Sequence, residues 1–224
     1  SGSECSPVLS NITFTGNYAR NGGAIYNDAS GVTGGVSKPV ISDAAFENNA
    51  AFSNGGAIYN RAGNGGESSP VISSTTFTSN SATFGGAVGS MASGSGSTSS
   101  AEMTRVTFKS NSADSFGGAV YNSRSGAQVN IMEATFSEND AYNGGAIYNN
   151  GASPDITNTV LTSNTASNEG GALYNKGSSS LSSSPQFVNA TFTDNTANVG
   201  GGAMYNLASN GGTSSPQFTN VILW

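Results

Sequence analysis

Hydrophobic positions in this chain return on a long period instead of a helical or simple strand one. One apolar column is formed by Leu9, Ile41, Ile72, Met103, Ile131, Ile156, Phe187 and Phe218. A second, five residues later, is formed by Phe14, Phe46, Phe77, Phe108, Phe136, Leu161, Phe192 and Leu223. A third follows a pair of glycines: Ile25, Ile58, Val88, Val120, Ile147, Leu173 and Met204. Residues next to the first column are mixed, with Glu102, Asn130, Asp155 and Gln186 among them, as in strands with one buried face. The units hold no stretch with helical periodicity, so helix-containing solenoids compete poorly. Three short strands per unit, each supplying one column, predict an all-β parallel β-helix (β-solenoid) with three sheets and about seven coils of 26–33 residues. At ~4.8 Å per coil the rod is roughly 34 Å long.

Polar and small residues keep the same phase. The glycine pairs begin at Gly22, Gly55, Gly85, Gly117, Gly144, Gly170 and Gly201. Three residues after the second apolar column stands Asn17, Asn49, Asn80, Asn111, Asn139, Asn164 or Asn195, and two further on an alanine, from Ala19 to Ala197. Stacked asparagines at a corner can bond to those above and below, forming a structural ladder. Paired glycines permit positive φ or close backbone approach at the next corner. The six prolines, from Pro7 to Pro216, all sit seven residues before the second column, where a strand starts. Length variation falls at one corner, where spacers of 11, 9, 10, 6, 4, 9 and 9 residues separate the Asn27 phase from the next proline phase. Such a row of loops is either a binding edge or tolerated slack.

Tyr26, Tyr59, Tyr121, Tyr148, Tyr174 and Tyr205 follow the third column by one residue. They are expected to point outward, interrupted at Gly89, as a candidate contact ladder for sugar rings or a protein partner; the favoured reading is that they stack on one another and are covered by the variable loops. Thr13 with Thr15, Thr76 with Thr78, and Thr191 with Thr193 flank the phenylalanine column, an array like that of ice-binding solenoids but broken by Ala45, Glu47, Lys109 and Val160.

Repeated Gly-Gly-Ala-Ile (Gly22 to Ile25, Gly55 to Ile58, Gly144 to Ile147), paired with Phe-x-x-Asn (Phe14 to Asn17, Phe77 to Asn80, Phe192 to Asn195), resembles the repeats of the chlamydial polymorphic outer membrane proteins. It is equally similar to bacterial right-handed parallel β-helix repeat proteins of the choice-of-anchor type, whose repeats read much like Ser184 to Asn195. The likeness spans essentially the whole chain and rests on structural columns. It implies a right-handed, single-stranded parallel β-helix and a secreted or cell-surface passenger, with adhesion in the chlamydial case. The unit carrying Gly89-Ser90 in place of Tyr-Asn departs most.

Composition narrows the chemistry. A formal charge of −6 and a pI near 4.4, with no basic run, argue against nucleic acid and anionic membrane surfaces as partners. No apolar run approaches the ~20 residues of a spanning helix, so this segment is not expected to insert in a membrane. Cys5 is the only cysteine, which leaves no intrachain disulfide, thiolate cluster or redox pair. No cofactor is expected, and calcium is the metal most compatible with the acidic surface, although no Gly-Gly-x-Gly-x-Asp nonapeptide or EF-hand loop is present. Without histidine and with seven scattered Lys plus Arg, a lyase is poorly served. A hydrolase would need paired carboxylates, for which Asp43 with Glu47, or Glu138 with Asp140, are the candidates. The reading is one parallel β-helix domain over residues 1–224, processed from or cut out of a longer chain or stacking end to end with itself. Its expected role is a non-catalytic extracellular surface or structural protein (adhesin, stalk or fibre subunit) that meets itself, a glycan or a protein receptor. A polysaccharide-binding or polysaccharide-degrading module is the alternative, and an ice-binding protein comes third.

Overall fold

The computed structural model describes residues 3–31 and 34–224; residues 32 and 33 of the first spacer, like residues 1 and 2, lie outside that set. Among the described residues there are strands and no helix. The chain coils so that each strand pairs in parallel with the equivalent strand one coil earlier and one coil later. Phe14 registers with Phe46, Phe46 with Phe77, Phe77 with Phe108, Phe108 with Phe136, Phe136 with Leu161 and Leu161 with Phe192. The fold is therefore a parallel β-solenoid, and each column of the sequence is a column in space.

Three long sheets run along the rod. The largest, of 12 strands, carries both the Leu9 and the Phe14 columns, and in Val71–Thr78 one strand spans both. A period of two would put residues five apart on opposite faces. A left-handed residue between them, such as Ser74 (φ 48°), Arg105 (φ 54°) or Glu133 (φ 55°), resets the alternation. It also turns a further column inward: Ala44, Thr75, Val106, Ala134, Thr159 and Ala190 are all buried. The buried hydroxyls of Thr75 and Thr159 donate to the carbonyls two residues back, at 2.8 and 3.0 Å. The second long sheet holds the alanine column, in seven strands from Tyr18–Asn21 to Thr196–Ala197. The third holds the Ile25 column, in seven strands from Ile25–Ala29 to Met204–Ser209.

Two details differ from the three-column expectation. The first two columns share a sheet, and the third sheet is built on the alanines. A fourth sheet of three two-residue strands, Glu4–Cys5, Val36–Ser37 and Glu67–Ser68, forms in the spacer corner.

Inside the rod, five phenylalanines from Phe14 to Phe136 form a continuous stack, with ring centroids 4.6–4.9 Å apart and planes within 13°. Leu161 ends it, and beyond, Phe187 packs edge-on against Phe192 at 5.4 Å. At the glycine corner the two residues of a pair differ in what they supply. Gly144 adopts φ 65°, and a Cβ there would strike the Ile147 carbonyl. A Cβ on Gly145 would strike the Gly171 carbonyl of the next coil, so the second glycine sets how closely coils approach.

Candidate functional site

The polar columns inside the rod leave few groups free to bind. Each central asparagine of the ladder is satisfied by its neighbours. Asn49 donates from Nδ2 to the Asn80 Oδ1 at 3.0 Å and to the Phe14 carbonyl at 2.9 Å, and its backbone N–H donates to the same Asn80 Oδ1 at 3.0 Å. The pattern runs through Asn17, Asn49, Asn80, Asn111, Asn139, Asn164 and Asn195. Both amide hydrogens and two oxygen lone pairs are used, and Asn49 to Asn164 are fully buried, so these residues hold the corner and offer nothing to a ligand.

A second amide ladder, not anticipated in the sequence, occupies the Asn27 phase. Asn27 donates to Asn60 at 2.8 Å, while Asn122, Asn149, Asn175 and Asn206 are linked at 2.9 Å. Between the two segments sits Ser90, which accepts from Asn60 Nδ2 at 3.4 Å.

The tyrosine column lies on the outer side of its sheet, and of the two readings burial favours the stacked and covered one, with the cover coming from neighbouring rings and not from the spacer loops. Tyr59, Tyr121, Tyr148 and Tyr174 are only 3–7% exposed, and Tyr26, at the first coil, is 42% exposed. Tyr148 and Tyr174 stack at 4.7 Å and 7°, and Tyr174 and Tyr205 lie 5.1 Å apart. The cover is supplied by residues just before the glycine pairs. The Phe116 ring lies 4.5 Å from that of Tyr148, and Phe84 5.4 Å from Tyr121. Burial pushes the phenols of Tyr59 and Tyr174 up to about 12 and that of Tyr148 up as well. The neighbouring Glu169 carboxylate adds to the shift at Tyr174 and is the main cause of the raised value at Tyr205.

The outer faces of the other two sheets are open. On the phenylalanine sheet the threonine array is cut by Glu47 and by the Lys109–Glu138 ion pair at 3.6 Å. Next to it, Glu102, Asn130 and Asp155 line a shallow depression of about 350 Å³ with Met132 at its rim. The alanine sheet presents Tyr18, Phe52 and Tyr142, which are 73, 70 and 51% exposed. Asp114 and Asp140 lie among them, and Ser112 Oγ donates to Asp140 Oδ2 at 3.1 Å. Burial raises the Asp140 carboxyl above its usual value; the Ser112 bond opposes this and Asp114 adds to it.

Of the carboxylate pairs considered for hydrolysis, Glu138 and Asp140 are engaged by different partners. Glu138 is engaged by Lys109 and by Ser110 at 3.1 Å, whereas Asp140 bonds Ser112. The loop edge has a notch of about 400 Å³ between Gly94–Ser97 of one coil and Leu181 of another, where the intervening coils have the shortest spacers. Arg124 lines it. No group of three or more potential metal-ligating side chains occurs among the described residues, and no helix there is long and apolar enough to cross a membrane.

These features define a repeat protein of the parallel β-solenoid class, with its polar interior committed to holding the coils and its open chemistry on two sheet faces and one loop edge. Its units are similar to a known repeat: residues 11–28, 43–61, 105–123, 133–150 and 158–176 match the Chlamydia polymorphic membrane protein (Chlamydia_PMP) repeat. Each matched segment runs from the Phe-x-x-Asn region through the glycine pair. The gap from 62 to 104 contains the coil that carries Gly89 and Ser90. Neither the curated proteins nor the solved structures include a significant match to the chain.

Proposed function

We propose that this chain is a non-catalytic, surface-exposed rod, an adhesin or stalk that presents side chains on a rigid solenoid. The observation that carries the reading is the match of five coils to a membrane-protein repeat on a scaffold whose repeated phases are spent internally on stacking. The membrane-protein repeat match supports a surface location, and the large exposed rings on the alanine sheet supply contact surface. Rod geometry also suits a fibre, formed if copies pair coil to coil at their edges.

Beads coated with the purified chain, incubated with epithelial cells, test adhesion, and the same preparation is assayed for release of reducing or unsaturated sugars from a polysaccharide panel. The reading predicts bead attachment above an albumin control and no sugar release. Turnover of any polymer, or attachment equal to albumin, overturns it. Size-exclusion chromatography over a concentration series tests the fibre, which predicts growth in size with concentration.

A further inference from the structure

Elsewhere in the molecule aromatic residues find their own kind: the phenylalanines stack through the core and the tyrosines of the Ile25 sheet pack on one another. On the alanine sheet Phe84 and Phe116 follow this rule by packing on the tyrosines, but Phe52 and Tyr142 do not. Phe52 and Tyr142 occupy the same phase, one residue after the buried alanine, but are three coils apart. At ~4.8 Å per coil that separation is about 14 Å, too far for the rings to cover each other. Asp114 holds that phase in the coil before Tyr142.

We propose that the outer face of the alanine sheet binds an uncharged polysaccharide laid along the rod, with Phe52 and Tyr142 as ring platforms, Tyr18 extending the track, and Asp114 and Asp140 accepting sugar hydroxyls. An aromatic face suits the C–H side of a pyranose. An ionised carboxylate is an acceptor only, so it pairs with the hydroxyl donors of a polyol. The face is also the right shape: a depression of about 260 Å³ against Tyr18 and Phe52 and another of about 220 Å³ against Asp140 and Tyr142 both have Asp114 in their walls. An extended pyranose chain advances by about one coil height per sugar, so neighbouring sugars meet neighbouring coils. Electrostatics sets the charge of the occupant. The seven strands of this sheet carry Asp114, Asp140 and Glu169 against a single cation, Arg20, which disfavours uronate and sulfated polymers. Ser112 holds Asp140 in place from the adjoining coil.

This assignment rests on the surface-rod reading and names its partner class. Native affinity electrophoresis is run in gels containing hydroxyethyl cellulose, galactomannan or dextran, with polygalacturonate and polylysine as charged comparators. The expected result is retardation by at least one neutral polymer, weakened about tenfold or more in Phe52→Ala/Tyr142→Ala and in Asp114→Asn, and retained in Phe52→Tyr. Circular dichroism of each variant should match the parent, since all three side chains point to solvent. Absence of retardation by every neutral polymer, unchanged retardation in the variants, or retardation confined to a charged polymer overturns it. Cell attachment of the ring-less variant is measured in parallel, because attachment that survives loss of neutral-polysaccharide binding sinks this assignment and leaves the adhesive rod standing.

Discussion

Ser90 lies in register with Asn122, and Asn122 Oδ1 is fully buried with no hydrogen-bond partner. Everywhere else in that ladder an asparagine one coil earlier donates to this oxygen. The serine side chain is too short to do so. One substitution therefore splits one amide ladder into two and leaves a buried acceptor unpaired.

Ser90→Asn is expected to close the gap and stabilise the chain by about 1 kcal/mol, the net worth of a buried hydrogen bond regained. For a chain of this length that is a rise of about 2–4 °C in melting temperature, read by differential scanning calorimetry. An unchanged or lower melting temperature contradicts the account of the gap.

Removing a rung should cost more than repairing one gains. Asn139→Ala takes away the acceptor of the Asn111 N–H and Nδ2 and the donor to the Phe108 carbonyl and Asn164 Oδ1. Several buried groups are then unpaired at once, and a loss of about 3 kcal/mol or more is expected in urea unfolding. A loss below about 1 kcal/mol would mean that the corner is held by packing alone.

The glycine corner gives a contrast between two sites with the same added atom. Gly145→Ala pushes a methyl into the Gly171 carbonyl of the next coil and should cost about 3 kcal/mol or more or prevent folding. Gly16→Ala meets no atom within 4 Å, and only its φ of 65° opposes the change, at about 1–2 kcal/mol. Equal effects in chemical denaturation would refute the close-approach argument.

Alkali should act through the covered tyrosines. The phenols of Tyr59 and Tyr174 move from 10.0 to about 12 on folding, chiefly through burial. Below the unfolded value both states are neutral, and these groups leave stability unchanged. As pH rises from about 10 through about 12 the unfolded chain loses protons that the folded chain keeps, so stability falls across that window. Urea midpoints measured across this range should be flat at first and then decline. A flat profile throughout would show the rings to be open to water.

Much of this was legible in the sequence because parallel stacking makes like residues neighbours. Phe46 over Phe77 and Asn80 over Asn111 needed only the repeat to be seen. The shared sheet of the first two columns was signalled only in part: the left-handed residue that resets the strand is Asn11, Asp43, Asn158, Asn189 or Asn220 in five coils, a type that tolerates that conformation, but Ser74, Arg105 or Glu133 in the other three. That reset also hid the inward column of Ala44, Thr75 and Val106. The tyrosine column was placed on the correct side of its sheet, but its cover comes from Phe84 and Phe116, which belong to the neighbouring sheet and carry no signal in the tyrosine phase. The exposed rings on the alanine sheet escaped notice because they recur in no fixed rhythm.

The stacking itself is tested most directly by distances down one column. Thr13, Ala45, Thr76, Thr107, Thr135, Val160 and Thr191 are successive partners on the phenylalanine sheet. With Cys5 replaced by serine, spin labels at Cys substituted for Thr13 and for Val160 or Thr191 should give separations near 24 and 29 Å, at ~4.8 Å per coil. A linear increase with coil number is the predicted result, and equal distances, or a shorter one for the farther pair, would contradict a parallel solenoid.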